Sequence, residues 1–215
     1  MMFKDRIDAA KKLAKKLEGI KKEQPVILAI PRGGVVTGDV IAKTLNAPLD
    51  VVVSRKIGSP NNPELAIGAV MHDGSFFPNS ALIDALGVQR DYLDEQIADQ
   101  LSEIQRRLKK FRGGINYDLK DKTVVLLDDG NSTGATVFAA LEWIKKQKPK
   151  RVIVAIPVGP RDTIERLVQV AEVVVLYDPI AFGAVGEFYD SFDQVEDSEV
   201  IEIMRSHGYK LNGIT

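Results

Sequence analysis

The 215-residue sequence contains no cysteine, which excludes disulfide bonds, thiolate metal sites and cysteine nucleophiles. It also lacks a dominant charge: the formal net charge is −1, which gives no general case for a nucleic-acid or membrane partner. No apolar run is long enough to span a bilayer, and the first residues show no apolar signal-peptide core. These absences predict a cytoplasmic protein with no nucleic-acid or membrane partner.

Histidine is scarce as well, with two residues, His72 and His207. Neither belongs to a cluster with metal-ligand spacing, so we expect both at turns or in solvent. The single tryptophan, Trp143, has apolar neighbours at helical spacing and is expected in the core or at an interface.

What is present is an ordinary globular composition, 45% hydrophobic and 27% charged. A chain of this length buries a sizeable core without cross-links, so we predict one domain over residues 1–215. Short apolar runs alternate with helical patterns. This predicts an α/β fold with an open, mostly parallel sheet flanked by helices. The predicted buried strands are residues 25–30, 49–53, 123–127, 151–156 and 173–177.

Three further segments surround this predicted sheet. An amphipathic helix with a lysine-rich, solvated face is predicted within residues 1–22. A helical insertion is predicted over residues 79–118, and its long helix, 90–111, carries an apolar stripe that packs on its own body or on a partner subunit. An aromatic-rich segment over residues 177–200 follows the last strand. In such sheets ligands bind beyond the carboxyl ends of the strands.

The segment VVLLDDGNSTGAT, residues 124–136, places chemistry at one such end. Asp128 and Asp129 repel one another, which favours a site where sugar hydroxyls or a divalent cation lie between them. The small, hydroxyl-rich residues that follow open a helix, whose free backbone amides attract an anion. Together these features indicate a site for a ribose 5-phosphate.

A plain strand–turn–helix with Ser132 or Thr133 as N-cap is the structural alternative. It explains the hydroxyl groups but not the pair of aspartates. The sequence has neither the G-x-x-x-x-G-K-[ST] phosphate loop nor a G-x-G-x-x-G motif after its first strand.

VVLLDDGNSTGAT resembles the phosphoribosyl-pyrophosphate (PRPP) binding motif of type I phosphoribosyltransferases, and the resemblance extends over about residues 25–200. It implies that Asp128 and Asp129 hold the ribose hydroxyls, partly through Mg²⁺. It also implies that the following residues bind PRPP through its 5-phosphate: Gly130, Asn131, Ser132, Thr133, Gly134, Ala135 and Thr136.

The motif PRGGVVTG, residues 31–38, follows the first predicted strand. Gly33 and Gly34 let the backbone approach an anion closely, and Arg32 can bind phosphate oxygens with its guanidinium fork. A glycine turn with a surface arginine is the simpler explanation. The resemblance implies that this loop binds the pyrophosphate group, often through a strained or cis peptide.

Residues 54–70, SRKIGSPNNPELAIGAV, begin with two cations and are rich in turn-forming residues, so we expect an irregular and mobile segment. A hairpin is also predicted that begins within this segment, with strands at 64–70 and 75–77. The resemblance implies a loop that closes over PRPP, with Arg55 and Lys56 meeting the pyrophosphate. Glu64 is either a proton acceptor or a charge at the start of a strand.

The aromatic segment 177–200 corresponds to the hood that the family builds over the nucleobase. Its candidate aromatic residues are Phe182, Phe188, Tyr189 and Phe192, most of which we expect in the core of the hood itself. Phe182 and Tyr189 are the predicted base contacts.

The resemblance implies a Mg²⁺-dependent transferase that moves ribose 5-phosphate from PRPP to a nucleobase or similar heterocycle, working as a homodimer or higher homo-oligomer. Gly130 and Asn131 stand where the family often has branched apolar residues, and Ser132 stands where the 6-oxopurine branch has an aspartate. The stretches RKIG, NPELAIGAV and FRGG are similar to a less characterised branch of the family. A non-catalytic PRPP or nucleotide sensor is the main alternative, and a ribose-phosphate hydrolase or kinase is a weaker one.

Overall fold

The computed structural model describes residues 2–131 and 133–211. Its strands are β1 (Val26–Ala29), β2 (Leu49–Val51), β3 (Ser54–Ser59), β4 (Asn62–Met71), β5 (Phe76–Pro78), β6 (Thr123–Leu127), β7 (Arg151–Val158) and β8 (Glu172–Tyr177). Its helices are α1 (Arg6–Leu17), α2 (Gly33–Leu45), α3 (Ser80–Leu86), α4 (Arg90–Phe111), α5 (Ala135–Lys146), α6 (Arg161–Val168) and α7 (Asp197–Ser206). Among the helices of these two ranges, none is long and apolar enough to cross a membrane.

Five strands form one parallel sheet in the order β2-β1-β6-β7-β8, which confirms the predicted fold class. From β1 the chain proceeds to β2 on one side, whereas β6, β7 and β8 extend on the other. The strand order therefore reverses between β1 and β6, and such a reversal opens a crevice at the carboxyl ends of the two strands.

The core lies on both faces of this sheet because successive side chains of a strand point to opposite sides. In β1, Ile27 and Ala29 pack with α1, α2 and α7. Val26 and Leu28 pack on the other face with α5 and α6. Burial on both faces explains why these strands read as continuous apolar runs.

The N-terminal segment departs from the single predicted helix. The helix α1 ends at Leu17, and a 3-10 helix, Glu18–Glu23, follows it. Before α1, Phe3 forms a parallel β-bridge with Tyr189 in the hood. The backbone amide of Phe3 donates to Phe188, and the amide of Asp190 donates to Phe3. The segment before α1 thus pairs through its backbone with the hood of the same chain.

The expectation of irregular structure over residues 54–70 is wrong. The strands β3 and β4 pair antiparallel from Ser54↔Met71 to Ser59↔Asn62, with Pro60 and Asn61 at the turn. The predicted hairpin that follows is present, because β4 also pairs with β5. Most of the turn-forming residues lie at the tip or at a register irregularity near Gly58, and the remainder of the segment pairs regularly.

The helical insertion packs on its own chain. The apolar stripe of α4 meets the inner face of β3 and β4, where Ile104 and Leu108 are buried with Ile57 and Ile67. Most of the stripe therefore packs on its own chain, which is one of the two alternatives that the sequence left open. Trp143 is buried in the core, as expected.

Candidate active site

Two loops meet at the crevice between β1 and β6. They are held in register where the amide of Ile30 donates to the carbonyl of Leu127 at 2.9 Å. The peptide bond Pro31–Arg32 is cis. A Cβ atom on Gly33 would overlap the carboxylate of Asp129, and one on Gly34 would lie 3.1 Å from the Cα of Asp128. Glycines at these two positions let the PRGG backbone lie close to the two aspartates, since a larger residue at either would displace them.

The adjacent carboxylates of Asp128 and Asp129 lie partly buried at the end of β6. Burial raises the pKa of Asp128 well above its usual range, and the neighbouring charge of Asp129 adds to this effect. One oxygen of Asp128 accepts from the backbone amide of Asp129 at 2.9 Å. A pair in this state gains from any additional cation or hydrogen-bond donor.

Arg6 at the start of α1 is a residue of this site that the sequence analysis did not identify. Its Nε lies 2.6 Å from Oδ2 of Asp129, and the two side chains are 12% and 14% exposed. The guanidinium also donates to the carbonyl of Asp193 at 2.7 Å and lies 3.8 Å from the ring centre of Phe192. One feature of the sequence indicates such a residue: the acidic pair has no cation beside it in the chain, so a cation from elsewhere in the fold is expected to contact it.

The loop after the aspartates is shaped by close packing. A Cβ atom on Gly130 would overlap Val185 of the hood, so a branched apolar residue does not fit there. Asn131 is 5% exposed; its side-chain Oδ1 accepts from the backbone amide of Gly134 at 2.9 Å, and its backbone N–H donates to the carbonyl of Val158 at 3.0 Å. Ser132, predicted to bind the phosphate, lies outside the described residues.

The start of α5 is not capped by a side chain within the described residues. Gly134 occupies the N-cap with φ +81°, a left-handed conformation that favours glycine. Thr133 is exposed and does not cap the helix, which argues against the simple N-cap alternative for that residue. The first amides of α5, from Ala135 and Thr136, have no intrahelical partner. This geometry is suited to an anion.

A cavity of about 840 Å³ lies on the far side of this loop, beneath the hood. Thr133 and Ala135 line it on the loop side, and Glu64 lines it from β4. Phe138 and Arg166 add an aromatic ring and a guanidinium 4.8 Å apart. Its volume falls within the range of pockets that bind small molecules.

The hood aromatics divide into two groups. Phe182 lines the cavity and stacks on Phe188 at a ring distance of 5.2 Å. Tyr189 is 2% exposed, packs against Phe3 and Phe192, and donates its hydroxyl to the carbonyl of Asp129 at 2.6 Å. Burial of its ring gives Tyr189 a supporting position and argues against the predicted contact with a base.

The three predicted catalytic cations occupy different surroundings. Arg32 lies 3.5 Å from Oδ1 of Asp197 at the start of α7. Arg55 donates to Gln100 of α4 at 2.8 Å, and burial with the charge of Arg107 lowers its pKa. Lys56 is exposed, and strand alternation places it on the same side of β3 as Ser54, whose hydroxyl bonds to the carbonyl of Thr136. Lys56 therefore faces the side of α5, and Arg55 faces α4.

No group of three or more histidine and carboxylate side chains comes together as a metal site in the described part of the chain. The donor set of Asp128 and Asp129 nevertheless fits Mg²⁺. This ion usually binds through one or two carboxylates, with waters and substrate phosphates as its other ligands.

Comparison with known proteins decides the family. A family model for the phosphoribosyl transferase domain matches residues 3–190. The chain belongs to the phosphoribosyl transferase family. The match covers both loops, the hairpin and the start of the hood, so the acidic pair and the PRGG loop lie inside the family domain.

Relatives within the phosphoribosyl transferase family are similar over nearly the whole chain. A Mycobacterium tuberculosis protein, provisionally named a phosphoribosyl transferase and present in two strains, is 40% identical over 209 residues, or 96% of this chain. This chain spans only 47% of the length of that relative. The crystal structure of TT1426 from Thermus thermophilus is also 40% identical, with a TM-score of 0.81 over 96% of this chain and 99% of that one.

Proposed function

We propose that the protein transfers the ribose 5-phosphate of PRPP to a nucleobase or similar nitrogen heterocycle and releases pyrophosphate. The observation that carries this proposal is the packing of Gly33 and Gly34 against Asp128 and Asp129, next to an uncapped helix start. Carboxylates suit the ribose hydroxyls, and free amides suit the 5-phosphate. Membership of the phosphoribosyl transferase family supports the same reaction class.

In the proposed reaction, a nitrogen lone pair of the acceptor forms a bond to the anomeric carbon of PRPP. The bond from that carbon to the pyrophosphate oxygen breaks, and its electron pair leaves with pyrophosphate. The proton of the acceptor nitrogen passes to solvent or to Glu64, which lines the cavity. The transition state resembles an oxocarbenium ion, so stabilisation of the leaving charge is the main requirement.

Each residue of the site has a role in the proposed reaction that follows from its position. Asp128 and Asp129 orient the ribose, and a Mg²⁺ ion bound to them would supply charge neutralisation for the leaving group. Arg32 contacts the pyrophosphate from the PRGG loop. Lys56, on the side of β3 that faces α5, adds a positive charge near the loop that is proposed to hold the 5-phosphate.

The acceptor binds in the 840 Å³ cavity under the hood. Phe182 supplies the aromatic face for a flat heterocycle, because its ring lines the cavity while Phe188 supports it. Thr133 belongs to the proposed phosphate loop and also lines this cavity, so one loop borders both the acceptor and the ribose 5-phosphate.

The test is to incubate the protein with Mg²⁺, PRPP and a panel of heterocyclic bases, and to measure pyrophosphate release. We expect release that depends on one class of base. Asp129→Asn should weaken PRPP binding in calorimetry at least about tenfold, because a charge-assisted contact to the ribose is lost. Asp84→Asn removes an exposed aspartate of α3 and serves as the matched control.

PRPP binding without base-dependent release across the panel would contradict the transferase and support a sensor on the same fold. Unchanged PRPP affinity in Asp129→Asn would contradict the ribose assignment.

A further inference from the structure

A group of cations lies where α4 passes the PRGG loop and the start of α7. Its members come from the loop after β1, from β3 and from the helical insertion, and we call them the α4 cation cluster: Arg32, Arg55, Arg106, Arg107 and Lys110. The three members from α4 are Arg106, Arg107 and Lys110, and they belong neither to the acidic pair nor to the lining of the cavity under the hood.

Two carboxylates connect the α4 cation cluster. Asp197 lies 2.6 Å from the Nζ of Lys110 and 3.5 Å from Arg32. Glu103 accepts from Arg106 and from Arg107, each at 2.7 Å, and the bonds from Arg106 lower its pKa to about 2. Four cations thus share two carboxylates, and Arg55 beside them bonds to the neutral Gln100, so the excess of positive charge favours an added anion.

The α4 cation cluster is partly shielded from water but still open. The side chains of Arg32, Arg107 and Lys110 are 30%, 22% and 21% exposed. Partial burial strengthens their interaction with an anion, and the remaining exposure lets a ligand reach them. The start of α7 lies at the same place, since Asp197 is its first residue, and its amides add to the positive potential.

The α4 cation cluster is continuous with the PRPP site through Arg32. The next residue, Gly33, lies against Asp129, whereas the guanidinium of Arg32 points to Asp197 and Lys110. A ligand with its ribose at Asp129 and a chain of phosphates along the PRGG loop therefore reaches the cluster with its terminal phosphate.

We propose that Lys110 and Arg107 of the helical insertion bind the pyrophosphate group of the substrate, with Asp197 as an internal counter-ion that the phosphate replaces. This inference rests on the proposed function and adds two contacts from α4 to it. Lys110 exchanges one carboxylate oxygen for a phosphate oxygen, so the cations are already oriented before the substrate arrives.

The experiment measures binding of inorganic pyrophosphate and of ribose 5-phosphate by calorimetry. We expect Lys110→Gln and Arg107→Gln to weaken pyrophosphate binding about tenfold each, because each loses a charge-assisted hydrogen bond. Ribose 5-phosphate affinity should stay unchanged. Lys109→Gln removes an equal charge from an exposed neighbouring position and should change pyrophosphate affinity by less than about twofold.

Asp197→Asn gives a prediction of opposite sign. Without the internal carboxylate the anion has no competitor, so pyrophosphate should bind several-fold more tightly. Lys110→Arg keeps the charge and should retain most of the affinity. Thermal unfolding checks that each variant is folded, and Arg107→Gln replaces Lys110→Gln if the latter is not.

Equal losses in Lys110→Gln and Lys109→Gln, or weaker binding in Asp197→Asn, would overturn the inference. If the wild type still bound PRPP and ribose 5-phosphate in that case, the proposed function would stand. Failure of the wild type to bind PRPP would overturn both.

Discussion

Asp129, at the end of β6, contacts three other parts of the chain. Its carboxylate pairs with Arg6 of α1, its carbonyl accepts from Tyr189 of the hood, and Gly33 lies directly against it. Removal of Arg6 would leave two partly buried carboxylates without their ion-pair partner, which is costly in a site of this exposure. The same residue that is proposed to meet the ribose therefore also holds the loops around it.

His72 is the residue for which the structure predicts a pH effect. It lies in the turn after β4, with its ring 4.7 Å from Trp143 and 5.1 Å from Tyr117. Burial lowers the pKa of His72 and Arg112 contributes in the same direction, whereas Asp73 acts to raise it. The position at a turn agrees with the sequence-based expectation, but the contact with the core does not.

The pKa of His72 in the folded chain lies below its value of about 6.5 in the unfolded chain. Protonation therefore favours the unfolded state, and the stability associated with neutral His72 is lost as the pH falls below about 6.5. We expect the free energy of unfolding to decrease less between pH 7 and pH 5 in His72→Phe than in the wild type. Urea denaturation at both pH values measures this, and parallel decreases would contradict it.

At the scale of single residues, the sequence pointed to the acidic pair and to the PRGG glycines because each is a short run of consecutive residues that follows an apolar strand. Arg6 could not be found in this way, because its partner Asp129 is 123 positions away. The burial of Tyr189 was equally inaccessible, since it depends on Phe3 at the other end of the chain.

At the scale of elements, the buried strands were predicted well because a parallel strand covered on both faces is a continuous apolar run. The strand β3 was missed because its residues include glycine, serine and charged side chains that resemble a loop. Its regular pairing depends on β4 and on the cover that α4 provides. Such tertiary support is not visible in the local composition of the segment.

The contact between α4 and the hairpin includes one hydrogen bond that can be tested by itself. The hydroxyl of Tyr92 donates to the carbonyl of Gly58 at 2.9 Å, next to the turn of the hairpin. We expect Tyr92→Phe to lower the free energy of unfolding by about 1 kcal/mol and to speed protease cleavage near Pro60 and Asn61.

Tyr177→Phe is the control for this change. Tyr177 is 37% exposed, and in the described ranges its hydroxyl has no hydrogen bond to the protein. Cleavage of the hairpin at the same rate in Tyr92→Phe and Tyr177→Phe would show that α4 does not hold the turn in place.

At the scale of the whole molecule, the site is assembled by segments that lie far apart in sequence. Two loops come from neighbouring strands of the sheet, as the alternation of elements predicts. The first residues of the chain, the helical insertion and the segment after β8 then surround this edge. The order of strands and helices could be predicted from the sequence, but the way these outer segments meet could not, because the local pattern of a segment does not specify which distant segment it contacts.

Phe3 is the point where the start of the chain is tied to the hood. It is 2% exposed, its ring lies 5.2 Å from that of Tyr189, and its backbone pairs with the hood on both sides. We expect Phe3→Ala to lower the free energy of unfolding by about 3 kcal/mol. PRPP binding should also weaken, because Tyr189 supports Asp129 through its hydroxyl.

Ile7→Ala, at a 45% exposed position of α1, is the control and should change stability by less than about 0.5 kcal/mol. Urea denaturation and calorimetry with PRPP measure both effects. A destabilised Phe3→Ala variant with wild-type PRPP affinity, measured where it is fully folded, would show that the hood holds itself in place without the N-terminal segment.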